Sequence, residues 1–569
     1  MATVAAQEAR CRREMAATHG VMATAAWRRF GRLLLRACAV DVDRAGIERV
    51  RELGRRHPLV LLPGHRSYLD PVVMRTVLQE HGLPPTHVLG GINAAFWPVG
   101  PIARRSGHVF IRRATRDDPV YRRVLREYMA DLLREGHHLE WYIEGGRTRT
   151  GKLRPPRFGL LAYLLEAVRQ GAADPVVVPV SIVYEHLPEM AAMAAEDQGE
   201  SRGRDSLAWL IGYARAQGRT QSTVHVRFGE PLCVREWIRT TPAAHERPVE
   251  RLAFEVCHRI NAATPITPTS LVTLALLGLE DRALTLAEVR SILGPILDYV
   301  GRRDLPTTGG DLLDRPEGVR ATLDSLCARG VVSCYEGGAE PVWTIGPNRH
   351  LEAAFHRNSA AHLLVTRAIA ELVAVHATER RLDDPLVGAW EDALALRRLL
   401  EFEFFFPGRR EFARELRDEL RLFDPGWEDR AADPDAVWAW LSGSRLHLAH
   451  RLLRCYIDAQ HVVADRLVAH DTATPVDERA FVEECLGVAR QYRMQQRIGS
   501  TEAISRELLG TALELARHRG LTEAGSGGLA ERRREFAEEV GAVARRLRVL
   551  RDLASGDVDA ARHGTEVPR

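Results

Sequence analysis

The sequence predicts an α/β domain with a mixed, mostly parallel sheet, flanked by an α-helical N-terminal segment and a large C-terminal helical region. Three observations carry this expectation. Between residues 58 and about 230, short β-branched runs alternate with stretches of helical apolar spacing. Residues before about 50 are rich in Ala and Arg and read as helix. From about 350 to 555 helical spacing dominates, interrupted near Pro407, Pro425 and Pro434. A chain of 569 residues is too long for one core. The expected regions are a helical segment at 1–50, the α/β domain at 51–240, a small helical, winged-helix-like region at 241–350 and a helical domain at 351–569.

Five runs read as strands: "PLVLLPG" (58–64), "GHVFIRR" (107–113), "HLEWYIEGG" (138–146), "VVVPVSIVY" (176–184) and "STVHVRFG" (222–229). Between them "PVVMRTVLQEHG" and "VYRRVLREYMADLLREG" have helical spacing. Alternation of this kind makes parallel sheets, which place ligands where strands end and loops begin. Pro179 lies inside one strand run; it lacks an amide donor, so an edge or a bulge is expected there. Residues 331–345 read as a hairpin turning at Gly337-Gly338.

Composition excludes more than it selects. Net charge is +3, so no global field points to nucleic acid, and an anion site must be a local cluster. The eight cysteines include no Cys-x-x-Cys pair, which fits a reducing compartment without a disulfide framework. No signal peptide and no transmembrane run are expected, and the histidines form no metal-ligand set. Residues 27–39, "WRRFGRLLLRACA", mix Arg with Trp27, Phe30 and Leu33. That pattern suits a membrane surface or an amphipathic helix packed on its own domain.

Four stretches carry the chemistry. In "LLPGHRSYLDP" (61–71) a strand breaks at Pro63-Gly64 and exposes His65. Asp70 precedes Pro71 and is placed to cap the next helix. If the loop brings the two together, Asp70 fixes the imidazole tautomer of His65, which becomes a general base. In "GHVFIRR" two cations, Arg112 and Arg113, stand at a strand exit. In "EGGRTRTGKL", Glu144, Gly145 and Gly146 lead into Arg147, Arg149 and Lys152, followed by Arg157. Glycines let backbone approach a ligand, and guanidinium forks grip phosphate. Glu144 is expected to pair with one of these arginines or with a ligand hydroxyl. Lys152 is the one lysine among 79 basic residues. The last stretch is "VPVSIVYEH", around Pro179.

In this order, "GHRSYLD", "GHVFIRR", "EGGRTRTGKL" and "VPVSIVYEH" resemble the four motifs of the glycerolipid acyltransferase superfamily, and within it the long bacterial glycerol-3-phosphate 1-O-acyltransferases. "PITPTSLVTLALL", "FHRNSAAHLL" and "EFEFFFPGRREF" extend the resemblance to about residue 420. The segment before His65 is shorter than in enterobacterial members, and the stretch after 420 matches no segment recognised in the family.

The resemblance implies acyl transfer from acyl-CoA or acyl-carrier protein to the 1-hydroxyl of glycerol 3-phosphate, on the cytoplasmic face of the membrane, with peripheral attachment and no further cofactor. His65 and Asp70 would be catalytic. Arg113, Arg147 and Arg149, then Lys152 and Arg112, would hold phosphate. Glu144, Gly145 and Gly146 would shape the acceptor site, and Pro179 the wall near the acyl donor. The rival acceptors are dihydroxyacetone phosphate and 1-acylglycerol 3-phosphate. A non-catalytic membrane-associated scaffold and a nucleic-acid binder are the rivals of another class.

Overall fold

The computed structural model describes residues 2–92, 99–112, 117–199, 222–241, 247–279, 282–379, 385–525 and 527–565. The chain divides into two compact units. One comprises Met1–Thr148, Leu153–Glu189 and Arg202–Pro265. The other comprises Arg149–Lys152, Met190–Ser201 and Ile266–Arg569.

The first unit is built on a sheet of eight strands among the described residues. They are β1 (Cys38–Val42), β2 (Leu59–Pro63), β3 (Thr86–Gly91), β4 (His108–Ile111), β5 (His138–Glu140), β6 (Val176–Tyr184), β7 (Ser222–Phe228) and β8 (Leu232–Cys233). The order is β1-β7-β6-β2-β5-β3-β4, with β8 beside β6. All neighbours are parallel except β6 with β7 and β6 with β8, so the sheet is mixed and mostly parallel. β2 and β6 are buried along their whole length, as strands covered on both faces must be.

Three sequence expectations are corrected here. Residues 38–42, read as part of an N-terminal helix, form β1: "CAVDV" alternates and pairs with Ser222–Val226, so the N-terminal segment belongs to the sheet. β5 ends at Glu140, not at 146, because after Trp141 donates to Leu61 the chain turns away. Pro179 lies on a central strand, not an edge. β7 covers Val180–Tyr184 and β8 covers Val176–Val177, so the proline falls where β6 changes partner. Its missing amide donor is not needed there, and its carbonyl accepts from Gly229 N at 2.9 Å.

The second unit is helical. The hairpin is present as Val332–Tyr335 and Val342–Ile345, joined by Leu284–Thr285 and flanked by helices Leu286–Arg302 and Pro316–Ala328. Its longest helix, His350–Glu379, is the one described helix long and apolar enough to cross a membrane, and 78% of that window is buried inside the protein. The helix carries buried ion pairs, Arg357–Glu502 at 2.8 Å and Arg367–Glu371 at 3.1 Å. It is the core helix of this unit.

The first unit also encloses a histidine cluster. His19 meets His87 at 4.6 Å between ring centroids, and His87 meets His137 at 4.9 Å. Gly107 (φ 92°) makes room for it, since a Cβ there would lie 2.2 Å from His19 Cε1. Burial, reinforced by the positive charge of Arg75, pushes His87 and His108 down to about 3. The unfolded chain therefore takes up protons that the folded one refuses below the ordinary histidine value of about 6.5. The stabilisation is complete above that pH and is lost as pH falls toward 3. The raised carboxyls of Glu140 and Glu144 in the same unit carry the opposite sign over this range, so the test is a comparison: between pH 7 and 5 wild type should lose up to about 1.4 kcal/mol per pH unit in urea unfolding relative to His87→Leu; parallel profiles would contradict it.

Candidate active site

β6, β2 and β5 lie side by side and point the same way, so the chain leaves all three at one edge of the sheet. The exits are Gly64 after β2, Trp141 after β5 and Glu185 after β6. Gly64 N donates to Val180 O at 3.0 Å, carrying the ladder up to the residue before His65. The C-terminal edge of parallel strands is where α/β sheets place their chemistry.

His65 and Asp70 meet there. His65 Nδ1 lies 2.8 Å from Asp70 Oδ2. The same oxygen accepts from the backbone amides of Arg66 (2.7 Å) and Ser67 (2.9 Å). A carboxylate oxygen held by two amides is an acceptor, so Nδ1 carries the proton and Nε2 is left as the basic nitrogen. The other oxygen, Oδ1, accepts from the Tyr184 hydroxyl at 2.6 Å. Asp70 is fully buried, whereas the His65 side chain keeps 19% of its surface. The expected capping role is corrected: Asp70 is the first residue of the helix Asp70–Glu80, and its carboxylate turns back onto the loop before it.

Glu144 fixes the loop from the opposite side. It is buried, and its two oxygens accept from His65 N (2.6 Å) and Arg154 N (2.8 Å). Backbone amides are thus its hydrogen-bond donors here, and the charges of Arg66 and Arg154 also act on the carboxyl. Burial pushes its carboxyl up to about 8 against those two hydrogen bonds. Gly145 sits at φ 66°, where a Cβ would lie 2.7 Å from Arg157 Cγ; only glycine makes this turn without strain. Gly146 follows with less restriction, its nearest obstacle Arg154 Nη1 at 3.4 Å. Thr148 N then donates to His65 O at 2.9 Å, tying the glycine loop to the histidine loop.

The expected cations separate. Arg147 stays with this site: its guanidinium lies 3.5 Å above the Tyr68 ring and 3.9 Å from Glu189. Arg149 belongs to the helical unit and pairs with Glu196 at 3.2 Å. Lys152 also belongs to that unit, buried with Glu403 and over the Tyr456 ring at 4.3 Å. Burial lowers its ammonium to about 7. Arg112 pairs with Glu14 and Asp118 and covers the Tyr121 ring. Arg113 lies outside the described residues. Pro179, on β6, is buried four residues into the strand.

Several members of the site were not singled out from the sequence. Glu189 accepts from Ser67 Oγ at 2.6 Å and Tyr68 N at 3.2 Å, which locks the middle of the histidine loop. Arg154 closes the glycine loop by donating to Arg147 O at 3.3 Å. Arg66 is buried, and burial lowers its pKa against the opposing charges of Glu144 and Asp70. Tyr184 stood inside a motif stretch and Arg154 directly after one; Glu189 had no local signal at all.

Residues 41–183 match the family model described as acyltransferase, and residues 193–525 match that of the glycerol-3-phosphate acyltransferase C-terminal region. Proteins of Mycobacterium tuberculosis and Mycobacterium bovis named as acyltransferase plsB1 are 43% identical over 563 residues, 97% of this chain and 90% of theirs. A glycerol-3-phosphate acyltransferase of Aeromonas hydrophila is 33% identical over 344 residues, 58% of this chain and 42% of that protein. The similarity therefore runs well past residue 420, where the motif resemblance stopped.

The Tyr184 hydroxyl is a buried donor to a charged acceptor. Tyr184→Phe should destabilise the first unit by about 1.5–3 kcal/mol, read as a lower urea midpoint, and should also slow turnover by loosening Asp70.

Proposed function

The chain belongs to the glycerol-3-phosphate acyltransferase family, and on that premise we propose that it moves a fatty acyl group from acyl-CoA or acyl-carrier protein to the sn-1 hydroxyl of glycerol 3-phosphate. The product is 1-acylglycerol 3-phosphate, and the reaction is the first acylation of phospholipid synthesis. The observation that carries the reading is the 2.8 Å contact between His65 Nδ1 and a buried Asp70, which leaves Nε2 as a base at the open edge of the sheet.

Each residue has a defined task in this reading. His65 Nε2 takes the proton of the acceptor hydroxyl as that oxygen attacks the thioester carbonyl. The C–S bond breaks, and the proton on His65 passes to the departing thiolate. Asp70 holds the imidazole in the required tautomer and stabilises its cationic form. Glu144 sets the backbone position of His65. Arg147, flat on Tyr68 beside Glu189, presents a guanidinium to the acceptor phosphate. Pro179 and its neighbours on β6 contribute to the wall on the acyl-donor side.

Attachment to the cytoplasmic face of the membrane is proposed to be peripheral, through the helix Val21–Leu34. Its Trp27 is turned inward against Phe110 and Ala103, so this face is already used by the fold. Val21 and Met22 are 86% exposed and Leu33 is 50% exposed, among the exposed Arg28, Arg29 and Arg32. Apolar residues set among arginines suit an anionic lipid surface.

Two experiments test these statements. With palmitoyl-CoA or acyl-carrier protein as donor, wild type should form 1-acylglycerol 3-phosphate. His65→Ala should lose about 10²–10⁴ in kcat, and Arg147→Ala should raise KM for glycerol 3-phosphate by about tenfold or more. Dihydroxyacetone phosphate or 1-acylglycerol 3-phosphate used in preference would reassign the acceptor; no transfer with any of them would end the catalytic reading. For attachment, Met22→Glu with Leu33→Glu should weaken sedimentation with phosphatidylglycerol vesicles while leaving soluble-substrate turnover intact. Unchanged sedimentation would move the contact elsewhere.

A further inference from the structure

The helical unit contains a cleft of about 630 Å³ lined by six arginines: Arg454, Arg493, Arg497, Arg545, Arg548 and Arg551. They come from the helices Arg454–Ala469, Glu478–Met494 and Leu529–Ser555 and from the turn after the second of these. One carboxylate, Asp458, faces them. It is largely engaged already: its Oδ2 accepts from Gly499 N (3.0 Å), Ser500 N (2.9 Å) and Ser500 Oγ (2.9 Å), and Arg454 stands 3.7 Å away. Arg497 lies 3.7 Å above the Tyr492 ring and 3.7 Å from Asp465; Arg551 pairs with its neighbour Asp552. Among the described residues Arg545 and Arg548 carry no ion pair. Partial desolvation of its guanidinium in the cleft and the like charges of Arg551, Arg545 and Arg454 push the pKa of Arg548 down.

Two backbone features show that the cleft is built around these cations. Gly499 gives the Arg454 guanidinium its place, since a Cβ there would lie 1.5 Å from Arg454 Nη2. Gln496, which also lines the cleft, holds φ 57°, a conformation that favours glycine and costs a side-chain-bearing residue about 1 kcal/mol.

We propose that this cleft binds a small polyanion carrying a diphosphate or longer phosphate chain, such as a nucleotide or a coenzyme supplies. Guanidinium forks pair bidentately with phosphate oxygens, and six forks exceed what a single phosphate can accept. The cleft is the size of a small-molecule site and much larger than one phosphate. Its apolar lining reduces to Ile498, Leu547 and Ala544, too little for an acyl chain. Three of the six arginines, Arg545, Arg548 and Arg551, stand beyond the segment matched by the family model, which ends at 525. The site is formed wholly by the helical unit and stands independently of the acyl-transfer reading.

Calorimetric titration of the full chain tests it, with tripolyphosphate, ADP, CoA and inorganic phosphate as probes. Wild type should bind tripolyphosphate at least about tenfold more tightly than phosphate, with affinity falling as salt rises. Arg545→Gln with Arg548→Gln, at exposed positions that leave the fold intact, should weaken tripolyphosphate binding at least about tenfold. Gln496→Gly relieves the turn, so it should raise thermal stability while weakening binding. ADP or CoA displacing tripolyphosphate identifies the nucleotide or the coenzyme as the source of the phosphate chain. Equal binding by wild type and the double variant, or no binding of any phosphate chain, would overturn the proposal. So would arginine-dependent binding of phosphatidylglycerol vesicles without any polyphosphate binding, which would make the cleft a lipid contact.

Discussion

The Asp70 carboxylate is the constraint on which the site depends. A charge removed from water is tolerated only when donors surround it. Here the donors are two amides of the histidine loop, the His65 imidazole and the Tyr184 hydroxyl. Satisfying one buried group therefore dictates the path of residues 65–67, the orientation of a ring and the position of the end of β6. The spacing of five residues is explained by this wrapping. A regular helix would not place His65 and Asp70 on one face, but a loop curled around the carboxylate does.

A second buried carboxylate, Glu144, works on the same loop through a different atom. It holds the His65 amide, and Asp70 holds the His65 side chain. Backbone and ring are thus fixed independently. Glu189 adds a third carboxylate at Ser67 and Tyr68, and also stands close to the Arg147 guanidinium. The guanidinium is thereby held in place before any ligand arrives, which lowers the ordering cost of an interaction made with it.

Much of this was legible in the sequence where the signal is local. "PLVLLPG", "VVVPVSIVY" and "STVHVRFG" are apolar, β-branched runs, and each became a strand. β3, "THVLGG", was missed: it is short and ends in two glycines. β1 hid inside an Ala- and Arg-rich stretch and is a strand because β7 offers it a partner. The meeting of His65 with Asp70 was readable from the motif and the family resemblance, but the partners of the cations were not. Arg112 is engaged by Glu14, 98 residues away, and Lys152 by Glu403, 251 residues away. A cationic stretch announces positive charge without saying which carboxylate will neutralise it; that is decided by tertiary contacts with no trace in local sequence.

The burial of Lys152 gives the molecule an uncommon chemical property. With 78 of its 79 cations written as arginine, the chain has a single side-chain amine, and that amine is enclosed with Glu403 among Tyr456 and Phe404. Acylating reagents attack neutral, accessible amines and leave guanidinium alone. The folded helical unit thus withholds its one side-chain amine from amine-directed acylating reagents, and only opening of that unit uncovers it. The lysine serves as a single-site marker of the intactness of the helical unit, written into the sequence by the rarity of its own kind.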